Sequence, residues 1–351
     1  MSFEHDLLDA IATGILSLFG PWSEHIEERT WTADGELDLL KVRSLNGTIF
    51  VHGGDQEEIS IRAVKTVRGP SQGTAEEFAR RVLIRRSQVK GGLYLQAVYP
   101  RPPLGCSVFV RFEIAVPWAI DADLYTQSGG VTVSGIEGAL EVETRSGNIE
   151  VMDALGPVTL KTAAGVIRVT RAEGAVQADN GRGAVSLTEC SGHMVAHTAR
   201  GGISMTGCDG EHHARSYQGD IKLQSARGGA HLATAQGDIC ASFTHLSAPV
   251  KLHADHGAVR AMAQDLGAYL EVEAMDGSVA VSLPEGYAGM LDAGTAEGEI
   301  VCRVPIDVIR QSSLLLTGRL GGGIGPLVKL RTCADDIQID ALSGKVNEGG
   351  F

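Results

Sequence analysis

The sequence predicts an all-β fold, a parallel β-solenoid (β-helix) whose coils of about 18 residues consist of two nine-residue halves. Three observations predict it. Glycine recurs at every ninth residue from Gly129 through Gly138, Gly147 and Gly156 to Gly237, and the register never slips. Apolar residues usually follow at the second and fourth positions after each of these glycines, as in Ile149/Val151, Ile167/Val169 and Val185/Leu187 in the odd halves. The even halves repeat the pattern with Leu140/Val142, Val158/Leu160 and Met194/Ala196. A spacing of two is a strand with one buried face, and glycine supplies the tight corner that leads into it.

The third observation is that residues 18 apart form consistent ladders once the halves are paired. Ile136, Ala154, Ala172, Cys190, Cys208 and Ala226 are all small or apolar, so that corner points inward. Thr144, Thr162, Asn180, Thr198, Ser216 and Thr234 form a polar ladder able to bond turn backbone. Glu143, Lys161, Asp179, His197 and Arg215 mostly alternate in sign, so stacked neighbours attract. Gly257, Gly277 and Gly298 continue the series at a spacing of about twenty, which predicts coils with longer turns.

The elements follow in order. Phe3, Leu7, Leu8, Ile11, Ile15, Leu16 and Phe19 have helical spacing before Gly20-Pro21. Residues 1–30 therefore read as an amphipathic helix and linker, a cap on the first coil or an assembly element. Residues 31–342 read as one solenoid. Leu37–Val42, Thr48–His52 and Ile59–Val64 are its first strands, with Asn46-Gly47 as a turn. Residues 71–90 read as a helical insertion opened by the capping box Thr74-Ala-Glu-Glu77. Leu93–Val98 and Val108–Val116 return to strand. Regular coils span 126–302, closing coils with Leu327–Arg331 and Ile337–Ile339 span 303–342, and 343–351 read as a flexible tail.

Composition narrows the function. A net charge of −13 disfavours nucleic acid and anionic membrane as partners. No apolar stretch is long enough to span a membrane. Residues 1–20 hold no Lys or Arg, so no secretory signal is expected and the location reads as cytoplasmic. The six cysteines show no zinc-finger spacing. Cys190 and Cys208, one coil apart, read as free buried thiols, although a disulfide between them is geometrically conceivable. Gly321–Gly325 lacks the Gly-Lys-Ser/Thr of a P-loop. The repeats lack the aspartates of calcium β-rolls. No cofactor and no catalytic residues are assigned.

Histidine is the skewed residue: eight of eleven lie between residues 193 and 256. His193, His197, His213 and His231 fall on outward positions of the even halves, with Glu211 and Arg215 among them. Such a cluster is able to bind metal or to switch with pH, and a solvated face of neutral imidazoles is the plainer reading. No metal is assigned, and the four histidines stand as the candidate patch. His212 falls on an inward position, which predicts either a bulge or a polar site in the core.

The phrases Val116-Pro117, Thr126-Gln-Ser-Gly-Gly-Val-Thr-Val133, Thr144-Arg-Ser-Gly-Asn-Ile-Glu-Val151, Ser282-Leu-Pro284, Leu316-Thr-Gly318 and Leu330-Arg-Thr332 resemble the bacterial β-strand-repeat family called "putative adhesin", a domain of unknown function. Gly219-Asp-Ile221 and Gly237-Asp-Ile239 match its turn best. The resemblance spans roughly residues 35–340 and implies a parallel β-solenoid with cell-envelope association. Together these readings give a non-enzymatic scaffold or adhesin-like module. It would bind protein partners along its sheets or self-associate through its ends. The alternative is a carbohydrate-binding or carbohydrate-active β-helix, with a glycan as ligand.

Overall fold

The computed structural model describes residues 23–33, 37–89 and 91–342. The predicted N-terminal helix of residues 3–19 and the tail of residues 343–351 lie outside the described residues. The chain divides into two compact units, residues 1–136 and 137–351. Among the described residues no helix is long and apolar enough to cross a membrane.

In the second unit the chain winds as predicted, and the strands form two parallel ladders. Leu140 pairs with Val158, and Val158 with Val176, in the even ladder. Ile149 pairs with Ile167, and Ile167 with Val185, in the odd ladder. Each partner is 18 residues on. The alternating apolar residues point inward and are almost wholly buried, as Val151, Val169 and Leu187 show. After Ala230 the step lengthens to 20, with Ala230 opposite Val250 and Ile239 opposite Val259.

The repeated residues have repeated physical tasks. Gly183 has φ +128°, and a Cβ there would overlap the carbonyl oxygen of Gly165 in the preceding coil. Only glycine lets the turns stack this closely. The polar ladder bonds the same turns. Thr162 donates to the Gly147 carbonyl at 3.2 Å, Thr198 to Gly183 at 3.3 Å, and Thr234 to Gly219 at 3.0 Å. Asn148, Asp220 and Asp238 explain the Gly-Asp/Asn-Ile turn. Their Oδ1 atoms accept the backbone N–H of Val166, Asp238 and Ala258 at 2.8–2.9 Å. Each turn is thereby bonded to its neighbour through side chain as well as backbone, so few buried polar groups are left unpaired.

One corner was not legible. Asp153, Arg171, Glu189, Gly207 and Ser225 all have φ between 53° and 64°. The coil turns through the left-handed region there even though four of the five positions carry a side chain. Asp153 and Arg171 compensate with a two-point ion pair between coils, at 2.6 and 3.0 Å.

The predicted continuation through Gly298 to residue 302 needs correction. Leu270 pairs with Val328, and Val279 with Ile337, so the last strands of the chain take the next place in the stack. Gly289–Thr295 and Ile300–Cys302 pair with the far side of those strands. The coil latest in sequence is thus the penultimate one in space. Residues 303–342 do not close the stack in simple succession either. Leu315–Leu320 runs antiparallel to Gly289–Thr295, and Ile306–Gln311 runs antiparallel to Leu315–Leu320 with a bulge between Val308 and Arg310. The roughly twenty-residue glycine spacing persists through Gly298, but the turn stacked beside Gly298 is the later one at Asp335 and not the one at Gly277, so periodicity alone gave the wrong order.

The first unit keeps two short parallel ladders. Leu39–Asn46 pairs with Asp121–Ser128, and Ile49–Gly54 with Val131–Ile136. Antiparallel strands flank them. Ser23–Ala33, expected to be linker up to residue 30, is a strand paired with Ile59–Gly69, which in turn pairs with Ser107–Pro117. The insertion is shorter than 71–90. The helix runs Gln72–Arg81, and Leu83–Val89 is already a strand. Its N-cap is Ser71, whose Oγ accepts the Thr74 N–H at 3.3 Å, so the capping residue lies three positions before the one expected. Phe78 is buried. The helix C-terminus rests on Lys65 of Ile59–Gly69. This buried ammonium donates to the Ala79 and Val82 carbonyls at 3.2 Å and pairs with Glu27 at 2.5 Å. A cation at that end also complements the helix dipole.

Candidate functional site

The histidine patch stands on the outer face of the even ladder. Ser191–Arg200 pairs with Asp209–Gln218, which pairs with the second half of Ile221–Gln236. Side chains alternate along each strand, so the register places His193 opposite Glu211, and Val195, His213 and His231 in one row across three coils. The His193 and His213 rings lie 5.2 Å apart between centroids, and His213 and His231 lie 5.9 Å apart. Three of the four predicted histidines therefore form one contiguous stack.

The fourth does not join it. His197 Nδ1 lies 3.2 Å from Asp179 Oδ1 in the preceding coil. Glu211 takes a place in the cluster instead, with Oε2 3.3 Å from His193 Nδ1. Ligand atoms of His193, Glu211 and His213 all lie within 4.8 Å of one another. Glu211 has the residue type and position that the 18-residue register alone would have flagged, since it falls directly opposite His193.

Burial lowers the pKa of His213, and the neighbouring imidazoles of His193 and His231 lower it further. Adding a proton there would set like charges side by side. The stack thus presents a neutral central ring. His212 resolves its sequence ambiguity: the strand passes through without a bulge, with Glu211, His212 and His213 in unbroken register. Its ring is wholly buried, Nδ1 lies 2.7 Å from the Gly229 carbonyl, and Nε2 has no partner. Burial keeps this imidazole neutral as well.

The wider histidine excess has a common cause. His245 contacts Asp265 at 2.6 Å, His253 contacts Glu273 at 3.2 Å, and His256 contacts Asp276 at 3.2 Å. In each pair the acid is 20 residues on, one coil away. Imidazole–carboxylate contacts are thus a recurrent link between coils, and among the described residues only the 193–231 stretch brings histidine rings together. Cys190 and Cys208 are free, buried thiols near the Thr188 and Thr206 carbonyls at 3.4 and 3.6 Å.

With the coils and their turn chemistry established, the comparison with known families has a physical basis. Residues 157–318 match the family model described as Toastrack DUF4097. The Toastrack domain is a β-solenoid of unknown function, in agreement with the resemblance carried by the Gly-Asp-Ile turns. No curated protein matches the chain. Solved structures similar to it include a "putative cell adhesion protein" from Clostridium sporogenes ATCC 15579. It is 9% identical, with 91% of this chain and 100% of that one covered and a TM-score of 0.21. A "putative adhesin" from Parabacteroides merdae ATCC 43184 is 10% identical, covers 91% and 96%, and has a TM-score of 0.24. A "putative lipid binding protein" from Parabacteroides distasonis ATCC 8503 is 11% identical, covers 91% and 97%, and has a TM-score of 0.34. Values of this size carry no argument about activity, so the functional reading rests on the residues of the coils themselves.

Proposed function

We propose that this protein is a non-enzymatic interaction module that docks a protein partner on the outer face of its even ladder, centred on His193, His213 and His231. One observation carries the reading: the row through these coils has an uncharged centre and a charged border. In register it runs Glu141, Thr159, Gln177, Val195, His213, His231, Lys251, Glu271 and Lys329. An apolar or neutral centre rimmed by charge is how protein interfaces are commonly built. Rings fixed on stacked strands also lose little conformational freedom on binding. The rim is itself tied down, with Glu271 held between Lys251 at 3.4 Å and Lys329 at 2.7 Å.

Self-assembly through the end of the second unit is less well supported. The outermost strand there, Ile306–Gln311, carries Asp307, Arg310 and a bulge, features that blunt an edge against pairing. A glycan site would call for an open aromatic face. The groove of about 350 Å³ lined by Phe50, His52, Arg62, Glu113 and Ser134 holds a ring, but Arg111 lies over it at 4.7 Å.

The test places a photo-crosslinking amino acid at Val195 on the even face, or at Thr170 on the outer odd face, in the cells that make the protein. The reading expects a discrete adduct from position 195, lost in the His193→Ala/His213→Ala/His231→Ala background, and none from position 170. Equal labelling at both positions would sink it.

A further inference from the structure

We infer that His193, Glu211 and His213 form a binding site for one divalent transition-metal ion of the zinc class. The inference goes beyond the docking reading and does not depend on it, because the three ligands belong to this chain and need no partner.

The ligand set follows from the strand register. Glu211 and His213 are two apart on Asp209–Gln218 and so share its outer face, and His193 sits opposite Glu211 on the next strand. Three side chains thus converge from a rigid, hydrogen-bonded pair of strands. Zinc bonds to imidazole and carboxylate are about 2.0–2.2 Å long, so two ligand atoms of a tetrahedral ion lie about 3.3–3.5 Å apart. His193 Nδ1 and Glu211 Oε2 are already at 3.3 Å. The atoms of all three groups lie within 4.8 Å, a gap that surface rotamer adjustment closes.

The donor chemistry selects the ion. Two imidazoles and one carboxylate suit zinc, nickel or copper, whereas calcium and magnesium prefer shells made of oxygen. Glu211 supplies the single negative charge. It is well exposed and pairs with the likewise exposed His193, so binding an ion disrupts no buried network. With three protein ligands the fourth position faces solvent, the arrangement of an open zinc site. His197 is engaged by Asp179 and lies outside the ligand set.

The experiment titrates zinc chloride into chelator-treated full-length protein and follows the heat of binding, with the melting temperature of every metal-free variant as a folding control. One equivalent should bind. His193→Ala, Glu211→Gln and His213→Ala should each weaken binding at least about tenfold, since even the loss of a group that only orients a ligand costs about 10–100-fold in metal affinity. His197→Ala and His231→Ala should leave it within about threefold. All six cysteines persist in these variants. Stoichiometric zinc retained by His193→Ala/His213→Ala would place the metal on thiols and overturn the inference. Equal losses from all four histidine variants would show diffuse surface binding and overturn it too. A site that binds zinc while the Val195 crosslink fails refutes only the docking reading, and the converse result refutes only the metal site.

Discussion

The coils of residues 140–283 and the first unit, residues 23–136, solve the same problem in different ways. Both must satisfy backbone groups on parallel ladders that bury one face. The coils do so by repetition. A threonine bonds the turn carbonyl 15 residues earlier, and an aspartate or asparagine bonds the next turn's N–H, again and again. The first unit relies on single, unrepeated devices. Antiparallel strands flank its ladders, and one buried lysine serves two helix carbonyls and a glutamate at once. Repetition spreads stability over many small, equivalent contacts, whereas the first unit concentrates it where nothing can substitute.

The largest expected effect tests the inward and outward phase of the coils. Val169→Asp buries an unpaired carboxylate between Val151 and Leu187, and should cost more than about 4 kcal/mol by urea unfolding. Thr170→Asp, one residue on and facing out, should cost under about 1 kcal/mol. Similar midpoints for the two would reverse the assignment of faces.

Next comes the single device of the first unit. Lys65→Ala leaves the Ala79 and Val82 carbonyls and the Glu27 carboxylate without their cation. It should cost about 3 kcal/mol, the scale of breaking a buried ion pair. Arg62→Ala, on the same strand as Lys65, removes exposed, solvent-screened pairs to Glu28 and Glu113 and should lower the melting temperature far less than Lys65→Ala. Comparable losses would mean that Lys65 has no special place.

These contrasts also explain what could be read from the chain beforehand. The period, the inward phase, the threonine ladder and the inward position of His212 are stated by residue type at fixed spacing, so they were legible. Lys65 was not, because an alternating strand such as Ile59–Gly69 gives no sign that a helix from the same unit will cover its lysine. The stacking order after Leu283 was hidden for a related reason: partners are set by tertiary pairing, and Gly298 keeps the spacing while the turn beside it is the later one at Asp335. In the candidate site, outward histidines were legible one strand at a time. The 18-residue register also sets Glu211 opposite His193 and Asp179 opposite His197, but which neighbour each ring turns to is fixed by side-chain rotamers that residue type does not state.

The smallest effect sharpens the comparison at the corner that sequence left unmarked. Glu189 has φ 54°, where a side chain is strained and glycine is not. Glu189→Gly should therefore stabilise the protein slightly, by about 0.5 kcal/mol after the greater freedom of the unfolded glycine is offset. A clear fall in melting temperature would show that the Glu189 side chain matters more than the corner's geometry.

The measurement that bears most directly on the account is the removal of one coil. Deleting residues 184–201 joins Gly183 to Gly202 and takes out one period of 18. Every strand beyond should then find an equivalent partner, and unfolding monitored by circular dichroism should stay cooperative with a strand-rich spectrum. Deleting residues 184–192, half a period, joins Gly183 to His193 and brings an even half against odd strands, so that protein should fail to fold. Two deletions that behave alike, both folded or both unfolded, would contradict a stack built from interchangeable 18-residue coils.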